Sequence, residues 1–195
     1  MRLKLAPAAL FLAAALSASS QTVPAATRGG IPILVGGGFS EFNSDWNGNL
    51  GGGTLWIDVG APYMPRLLHG LGIEIEGRDL NYTRSGFDPK LRQDTAEGGL
   101  IYRWNRFHNF RPYAKFLMGY GGIDFTDSGD PYYTHDTRTV YAPGGGVEYR
   151  VWGGLWLRGD YEYQFWPQMT NRGALTPAGY TVGAVYDLGH LFGRR

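Results

Sequence analysis

The sequence predicts an all-β protein: an eight-stranded antiparallel up-and-down transmembrane β-barrel, preceded by a cleaved signal peptide. One observation is an alternation of polar and apolar residues that recurs along the chain. Another is a composition with 31 glycines and 15% aromatic residues, which favours many short strands over helices. The last is an N-terminal segment with the pattern of an export signal.

The first thirty residues predict export followed by a short lead-in. Arg2 and Lys4 precede an apolar run at 5–16, and small residues at 18–20 form a cleavage site. The apolar run is shorter than the about 18 residues that a membrane-spanning helix needs. We therefore expect a signal peptide at 1–20, a flexible lead-in at 21–30 and the barrel at 31–192.

Eight segments of the mature chain have a period of two, which places alternate side chains on opposite faces of a strand. The clearest is LWLRGDYEYQFW (155–166), where one face is almost free of charge and the other carries both signs. The segment IPILVGGGFSEF (31–42) is ambiguous in parity but is counted as the first strand. The other six segments are 54–60, 70–78, 95–104, 112–120, 140–151 and 180–188.

The connectors between these segments differ at the two ends of the predicted meander. Polar, turn-rich loops follow strands one, three, five and seven, at 43–49, 83–90, 126–136 and 167–175. Tighter turns follow strands four and six, although the connector after strand two is as long as some of the loops. One elaborated end and one plain end are expected of a membrane barrel, and an even strand count returns both termini to the periplasmic side.

Alternation alone leaves open whether the apolar face meets lipid outside or a ligand inside, as in a lipocalin-like barrel. The charged face favours an enclosed interior, because it combines arginines with carboxylates and contains only one lysine, Lys115. Aromatic residues cluster at strand ends, as in membrane girdles; one such cluster is Tyr102, Trp104, Phe107, Phe110 and Tyr113. An exported chain without an apolar helix can span a membrane only as a closed barrel.

The predicted faces give a barrel with an apolar exterior and a charged lumen. The residues expected to point outward include Leu71, Ile73, Ile75, Leu155, Leu157, Tyr161 and Tyr163. The inward residues expected to form a lumen ion network are Asp58, Glu74, Glu76, Arg78, Glu97, Arg103, Lys115, Glu148, Arg150, Arg158, Asp160, Glu162 and Asp187. Their carboxylates outnumber their cations, which implies trapped water or protonated acids.

No catalytic, metal or cofactor site is predicted. The glycine runs at 36–38, 51–53 and 144–146 lack a phosphate-loop context and are interpreted as positions that permit strong curvature. The four histidines lack ligand spacing, and the acidic loop 124–136 does not match a calcium-binding loop. The chain has no cysteine, which excludes disulfides and thiolate ligands. We therefore expect no enzyme activity.

The signal peptide, the eight alternating segments and stretches such as GGGVEYRVWGGLWLRGDYEYQFW (144–166) resemble small outer-membrane β-barrel proteins of the OmpA/OmpX-like group. The resemblance covers nearly the whole mature chain. It implies a place in the Gram-negative cell outer membrane, contact with outer-membrane lipid and insertion by the barrel assembly machinery.

Two features depart from the family pattern. Such barrels usually end on an aromatic residue that the assembly machinery reads, whereas Phe192 is followed here by Gly193-Arg194-Arg195. Either Phe192 serves despite this extension or the assembly signal is degenerate. The other departure is Pro143 within strand six; because proline cannot donate to the ladder, we expect a bulge there, near the outer rim.

Two functions of different class fit this sequence. One is a monomeric barrel with a structural or surface-interaction role, a plugged polar lumen and loops that meet a surface partner. The alternative is a narrow porin-like channel for ions or small solutes. An eight-stranded interior is just wide enough for side chains, so inward Trp156 and the arginines favour a plugged lumen. A net charge of +1 provides no field that would attract nucleic acid.

Overall fold

A computed structural model of the chain describes residues 31–45, 48–61, 65, 68–83, 92–124, 135–169 and 173–190. The predicted signal peptide (1–20), the lead-in (21–30) and Phe192 lie outside these residues, as does most of the predicted loops 83–90 and 126–136. Within the described ranges, no helix is long and apolar enough to cross a membrane.

Eight of the described strands close into one antiparallel barrel. They are β1 (Ile33–Asn43), β2 (Asn49–Gly60), β3 (Leu71–Thr83), β4 (Arg92–Arg103), β5 (Phe110–Asp124), β6 (His135–Trp152), β7 (Leu155–Tyr163) and β10 (Ala178–Asp187). A separate hairpin consists of β8 (Trp166–Met169) and β9 (Gly173–Leu175), and a 3-10 helix, Leu188–His190, follows β10. Because β1 pairs with β10, the sheet has no free edge. The predicted eight-stranded up-and-down barrel is confirmed.

The barrel has two unlike ends. One end, called the turn end, holds the connections 61–70, 104–109 and 153–154, the start of β1 and the end of β10. The opposite end, called the loop end, holds the other four connections. The last connection joins β7 to β10 and contains the β8–β9 hairpin. Most of this hairpin falls within the predicted loop 167–175. Similarly, β6 begins at His135, inside the predicted loop 126–136.

The alternation places apolar side chains outside the barrel and charged ones inside. Ile73, Ile75 and Leu157 are more than half exposed, whereas their neighbours Glu74 and Arg158 are buried. The first strand follows the same rule, since its even positions point inward and its odd positions outward. The barrel is therefore apolar outside and charged inside, which excludes the lipocalin-like arrangement, because that arrangement would place the leucines and isoleucines inside.

The expected bulge at Pro143 is wrong. Pro143 lies opposite Phe116 of β5 without a register shift. On its other side, continuous pairing with β7 stops at Gly144, and an isolated bridge joins Tyr141 to Phe165. The missing N–H therefore falls in a gap of the ladder, so the strand needs no bulge to accommodate the proline. The β6–β7 register shifts instead between Arg150 and Trp152, at the turn end.

Two inward glycines make room for tryptophans in the lumen. A Cβ atom on Gly36 would overlap the ring of Trp56, and one on Gly121 would overlap the ring of Trp166. Both rings are almost completely buried. These glycines are therefore required by packing, in addition to the curvature of a small barrel.

Leu157→Arg is expected to destabilise the barrel, because it places a charge on the lipid-facing surface. The loss should reach about 2–4 kcal/mol if the side chain lies near the bilayer midplane, and less toward the interface. Urea unfolding in phospholipid vesicles measures the difference, with Leu157→Met as the control that keeps an apolar side chain. An unchanged unfolding free energy for the arginine variant would contradict the outward assignment.

Candidate functional site

The lumen contains a polar middle layer between two apolar clusters. The loop-end cluster consists of Phe42, Leu50, Leu80, Leu117, Ile123, Val140, Ala142, Trp166 and Leu175. The turn-end cluster consists of Leu34, Trp56, Trp156 and Val185. Buried side chains therefore form three layers inside the barrel, two apolar and one polar.

Arg158 of β7 lies at the centre of the polar layer. Its two terminal nitrogens donate to both oxygens of Glu74, at 2.7 Å and 3.0 Å, which is a bidentate pair. Its Nε donates to the hydroxyl of Tyr113 at 2.8 Å, and that hydroxyl donates to Asp160 at 2.8 Å. The guanidinium also lies 4.6 Å from the centre of the Trp56 ring. All its polar atoms are thereby directed to fixed partners.

Lys115 of β5 joins four carboxylates. Its Nζ lies 2.7 Å from Glu76, 2.9 Å from Glu162, 3.3 Å from Glu74 and 3.4 Å from Asp160. Its side chain is completely buried. A compact ammonium with three donors can serve such a cluster, whereas a planar guanidinium would favour one bidentate partner. This lysine therefore connects the carboxylates of β3 with those of β7.

Arg78 extends the network toward the loop end. Its guanidinium pairs with Glu76 on its own strand and donates to Glu162 of β7 at 2.8 Å. It lies 4.2 Å from the centre of the Phe42 ring, where the polar layer meets the loop-end cluster. Gln164 continues the chain of contacts, because its Nε2 donates to both Glu162 and Glu97.

Arg103 and Arg111 complete the network at the turn end. Arg103 donates to Asp58 at 2.5 Å and to Glu148 at 3.2 Å. Arg111 lies 2.9 Å from the other oxygen of Glu148, and its guanidinium stacks on Trp156 at 3.4 Å from the ring centre. The network therefore runs from one apolar cluster to the other.

Comparison with known proteins places this fold in a family. The model of the outer membrane protein beta-barrel domain matches residues 8–187. The chain belongs to this outer membrane β-barrel family. It is therefore an outer-membrane protein, as the resemblance of its sequence implied. Comparison with curated protein sequences gives no significant match.

Several small outer-membrane barrels of known structure share the fold. Neisserial surface protein A is 14% identical, with a TM-score of 0.59 over 80% of this chain and 96% of that one. Ail of Yersinia pestis is 16% identical, with a TM-score of 0.51 over 82% and 98%. OprG of Pseudomonas aeruginosa is 12% identical, with a TM-score of 0.51 over 82% and 96%. At these identities the likeness concerns the fold alone.

In this outer-membrane barrel, the predicted lumen residues are buried with two exceptions. Arg150 is exposed at the turn end, and its Nε donates to the carbonyl of Gly153. Asp187 is half-buried at the end of β10 and accepts a hydrogen bond from the amide of Gly189. Both have inward parity, but they lie beyond the polar layer, where the strands end. Among the described residues, neither forms an ion pair.

Three members of the network lie outside the predicted set of lumen residues, namely Arg111, Tyr113 and Gln164. Arg111 lies one residue before the predicted strand 112–120, and the sequence places Tyr113 in an aromatic cluster at the strand ends. β5 begins at Phe110, so positions 111, 113 and 115 share the inward face. The sequence offered one signal for Arg111 and Tyr113. Lys115 points inward, so positions 113 and 111 share its face if the strand begins four residues earlier.

The corrected network still carries more acids than bases. Its cations are Arg78, Arg103, Arg111, Lys115 and Arg158. Its acids are Asp58, Glu74, Glu76, Glu97, Glu148, Asp160 and Glu162. One oxygen each of Asp58, Glu97 and Asp160 has no hydrogen-bond partner among the described residues. Within the described ranges, no cluster of His, Asp or Glu side chains is arranged to hold a metal ion.

Proposed function

We propose that this outer-membrane protein has a structural or surface-interaction role and that its lumen does not conduct. The observation that carries the proposal is a set of ion pairs between two strands on opposite sides of the barrel. In the closed barrel, β3 and β7 are separated by three strands on either side, so they face each other across the lumen. Arg158–Glu74 and Arg78–Glu162 both join these two strands. Ion pairs across the full width leave little free cross-section.

The apolar clusters strengthen this closed-lumen proposal. Trp56 and Trp156 lie in the turn-end cluster, and Trp166 lies in the loop-end cluster. A hydrated ion would have to pass two desolvating layers and a charged layer whose partners are already engaged. We accordingly propose neither solute transport nor catalysis.

The loop end supports a role in surface interaction. Asp45, in the first loop, accepts hydrogen bonds from the amide and hydroxyl of Thr176, at 2.7 Å and 2.6 Å, in the last loop. This contact joins two loops that are far apart in sequence and reduces their freedom before a partner binds. The proposed partners are outer-membrane lipid, the barrel assembly machinery and a molecule at the cell surface that the loops 43–49, 83–90, 126–136 and 167–175 contact. We propose that the protein acts as a monomer.

Planar-bilayer recording tests the closed lumen. The refolded protein is expected to give no large, stable conductance steps. Arg158→Ser should produce a leak, because it removes the cation that pairs with Glu74, Asp160 and Asp58 at the centre of the lumen. The leak should favour cations, since acids outnumber bases in the network.

Arg92→Ser is the matched control, because Arg92 is half-exposed on the outer surface and pairs with Asp79 and Asp94. It should remain as silent as the unmodified protein. Large single-channel steps from the unmodified protein would overturn the closed-lumen proposal and establish the narrow channel instead. The excess of carboxylates is the feature that such a cation channel would use.

A further inference from the structure

A patch at the turn end combines exposed aromatic rings with exposed arginines. The turn-end patch consists of Trp104, Arg106, Phe107, Phe110, Arg150 and Trp152. Trp152 is 83% exposed and Phe107 is 58% exposed. The patch lies on the β4–β5 turn and the end of β6. Among the described residues, the other exposed apolar side chains at this end include the aliphatic Ile31, Ile33 and Val59.

Backbone contacts make the patch one continuous surface. Phe110 of β5 lies directly opposite Tyr149 of β6. The amide of Arg150 donates to the carbonyl of Asn109 in the β4–β5 turn at 2.9 Å. The rings of Phe107 and Phe110 are 6.2 Å apart, edge to face. The two arginines therefore belong to the same rigid element as the rings.

Among the described residues, no carboxylate pairs with the arginines of the patch, Arg106 and Arg150. The three turn-end connections, 61–70, 104–109 and 153–154, contain no Asp or Glu. The loop end is different, because Arg92 pairs with Asp79 and Arg138 pairs with Asp136. The two arginines of the patch are thus available to an external anion.

We propose that the turn-end patch binds the headgroup of an anionic phospholipid of the surrounding membrane leaflet. Amphipathic rings favour the headgroup level of a bilayer, so they place Arg106 and Arg150 at the depth of lipid phosphates. A guanidinium suits phosphate because its planar donors form paired hydrogen bonds. The exposed rings of the same turn and strand end provide contact area for the upper acyl chain. The inference is independent of whether the lumen conducts.

Tryptophan quenching by brominated lipids tests the proposal at the patch itself. Of the described tryptophans, only Trp104 and Trp152 are exposed, since Trp56, Trp156 and Trp166 are buried in the lumen. Trp46 lies outside the described residues and is replaced by Phe in every protein compared. The protein is refolded into phosphatidylcholine vesicles that contain brominated phosphatidylglycerol or, in parallel, brominated phosphatidylcholine.

We expect phosphatidylglycerol to displace phosphatidylcholine from the patch with a relative binding constant of about 3–5 at low salt. The preference should decline toward one at high ionic strength, because exposed charges are screened. Arg106→Gln with Arg150→Gln should bring the constant to about one, and the corresponding double lysine variant should retain the preference. Heat-modifiable gel mobility verifies that each variant is folded.

Arg92→Gln with Arg138→Gln removes the same formal charge at the loop end and should leave the preference unchanged. Equal quenching by the two lipids in the unmodified patch would overturn the proposal. So would a preference that survives the glutamine substitutions, or one that the loop-end control also abolishes, because net charge would then explain it.

Discussion

Replacing Arg158 by leucine is expected to lower the free energy of unfolding by about 3–5 kcal/mol, the cost of breaking a buried ion pair from one side. The substitution leaves Glu74 without its bidentate partner and removes a donor to Asp160. Both carboxylates are buried, so water cannot replace the guanidinium freely. Urea unfolding in vesicles measures the change.

A double-mutant cycle separates this pairing from general damage to the core. The double variant Arg158→Leu with Glu74→Gln should cost less than the sum of the two single changes, by about 0.5–3 kcal/mol. Arg92→Leu breaks an exposed pair and should cost less than about 1 kcal/mol. Strict additivity of the two lumen changes would show that Arg158 and Glu74 do not stabilise each other.

Trp166→Ala is expected to cost about 3–5 kcal/mol, because it empties a large, fully buried position in the loop-end cluster. The ring packs over Gly121, and its Nε1 donates to Gln164 at 3.0 Å. Trp166 also begins β8, so its loss should release the β8–β9 hairpin from the barrel. Unfolding free energy and the rate of proteolytic cleavage within 167–175 report the two effects.

Trp166→Phe distinguishes apolar volume from the hydrogen bond. It retains most of the buried area and should cost about 1 kcal/mol, mainly through the lost donor. Cleavage of the hairpin should then stay slow. Rapid cleavage of the phenylalanine variant, or slow cleavage of the alanine variant, would contradict the role of the ring as the anchor of this hairpin.

Much of the fold could be predicted because strand alternation is a local property. The residues 155–163 show their faces within one short segment, and the barrel confirms them without any knowledge of neighbours. The prediction failed where the alternation of polar and apolar residues is interrupted or too short to recognise. Pro143 predicted a bulge, but the gap in the ladder beside it makes a bulge unnecessary. The sequence does not show this gap, because it depends on where the pairing with β7 ends. The hairpin β8–β9 is too short to show a period.

Arg111 and Arg150 illustrate what parity does not decide. Both lie on the inward side of their strands near the turn end. Arg111 stacks on Trp156 and pairs with Glu148 within the lumen. Arg150 lies next to the register shift of β6 and contacts the Gly153 carbonyl at the rim. Depth along the barrel, which follows from the register of neighbouring strands, separates the two residues.

The sequence by itself determined that the chain forms eight amphipathic strands and which face of each is charged, because these follow from a period of two residues. Only the tertiary structure decided which charges meet. Closure brings β3 opposite β7, and the stagger of the strands sets Arg158 level with Glu74 and Arg78 level with Glu162. These partners are 84 residues apart in sequence. No local pattern encodes such a distance, since it depends on the register of every strand between them.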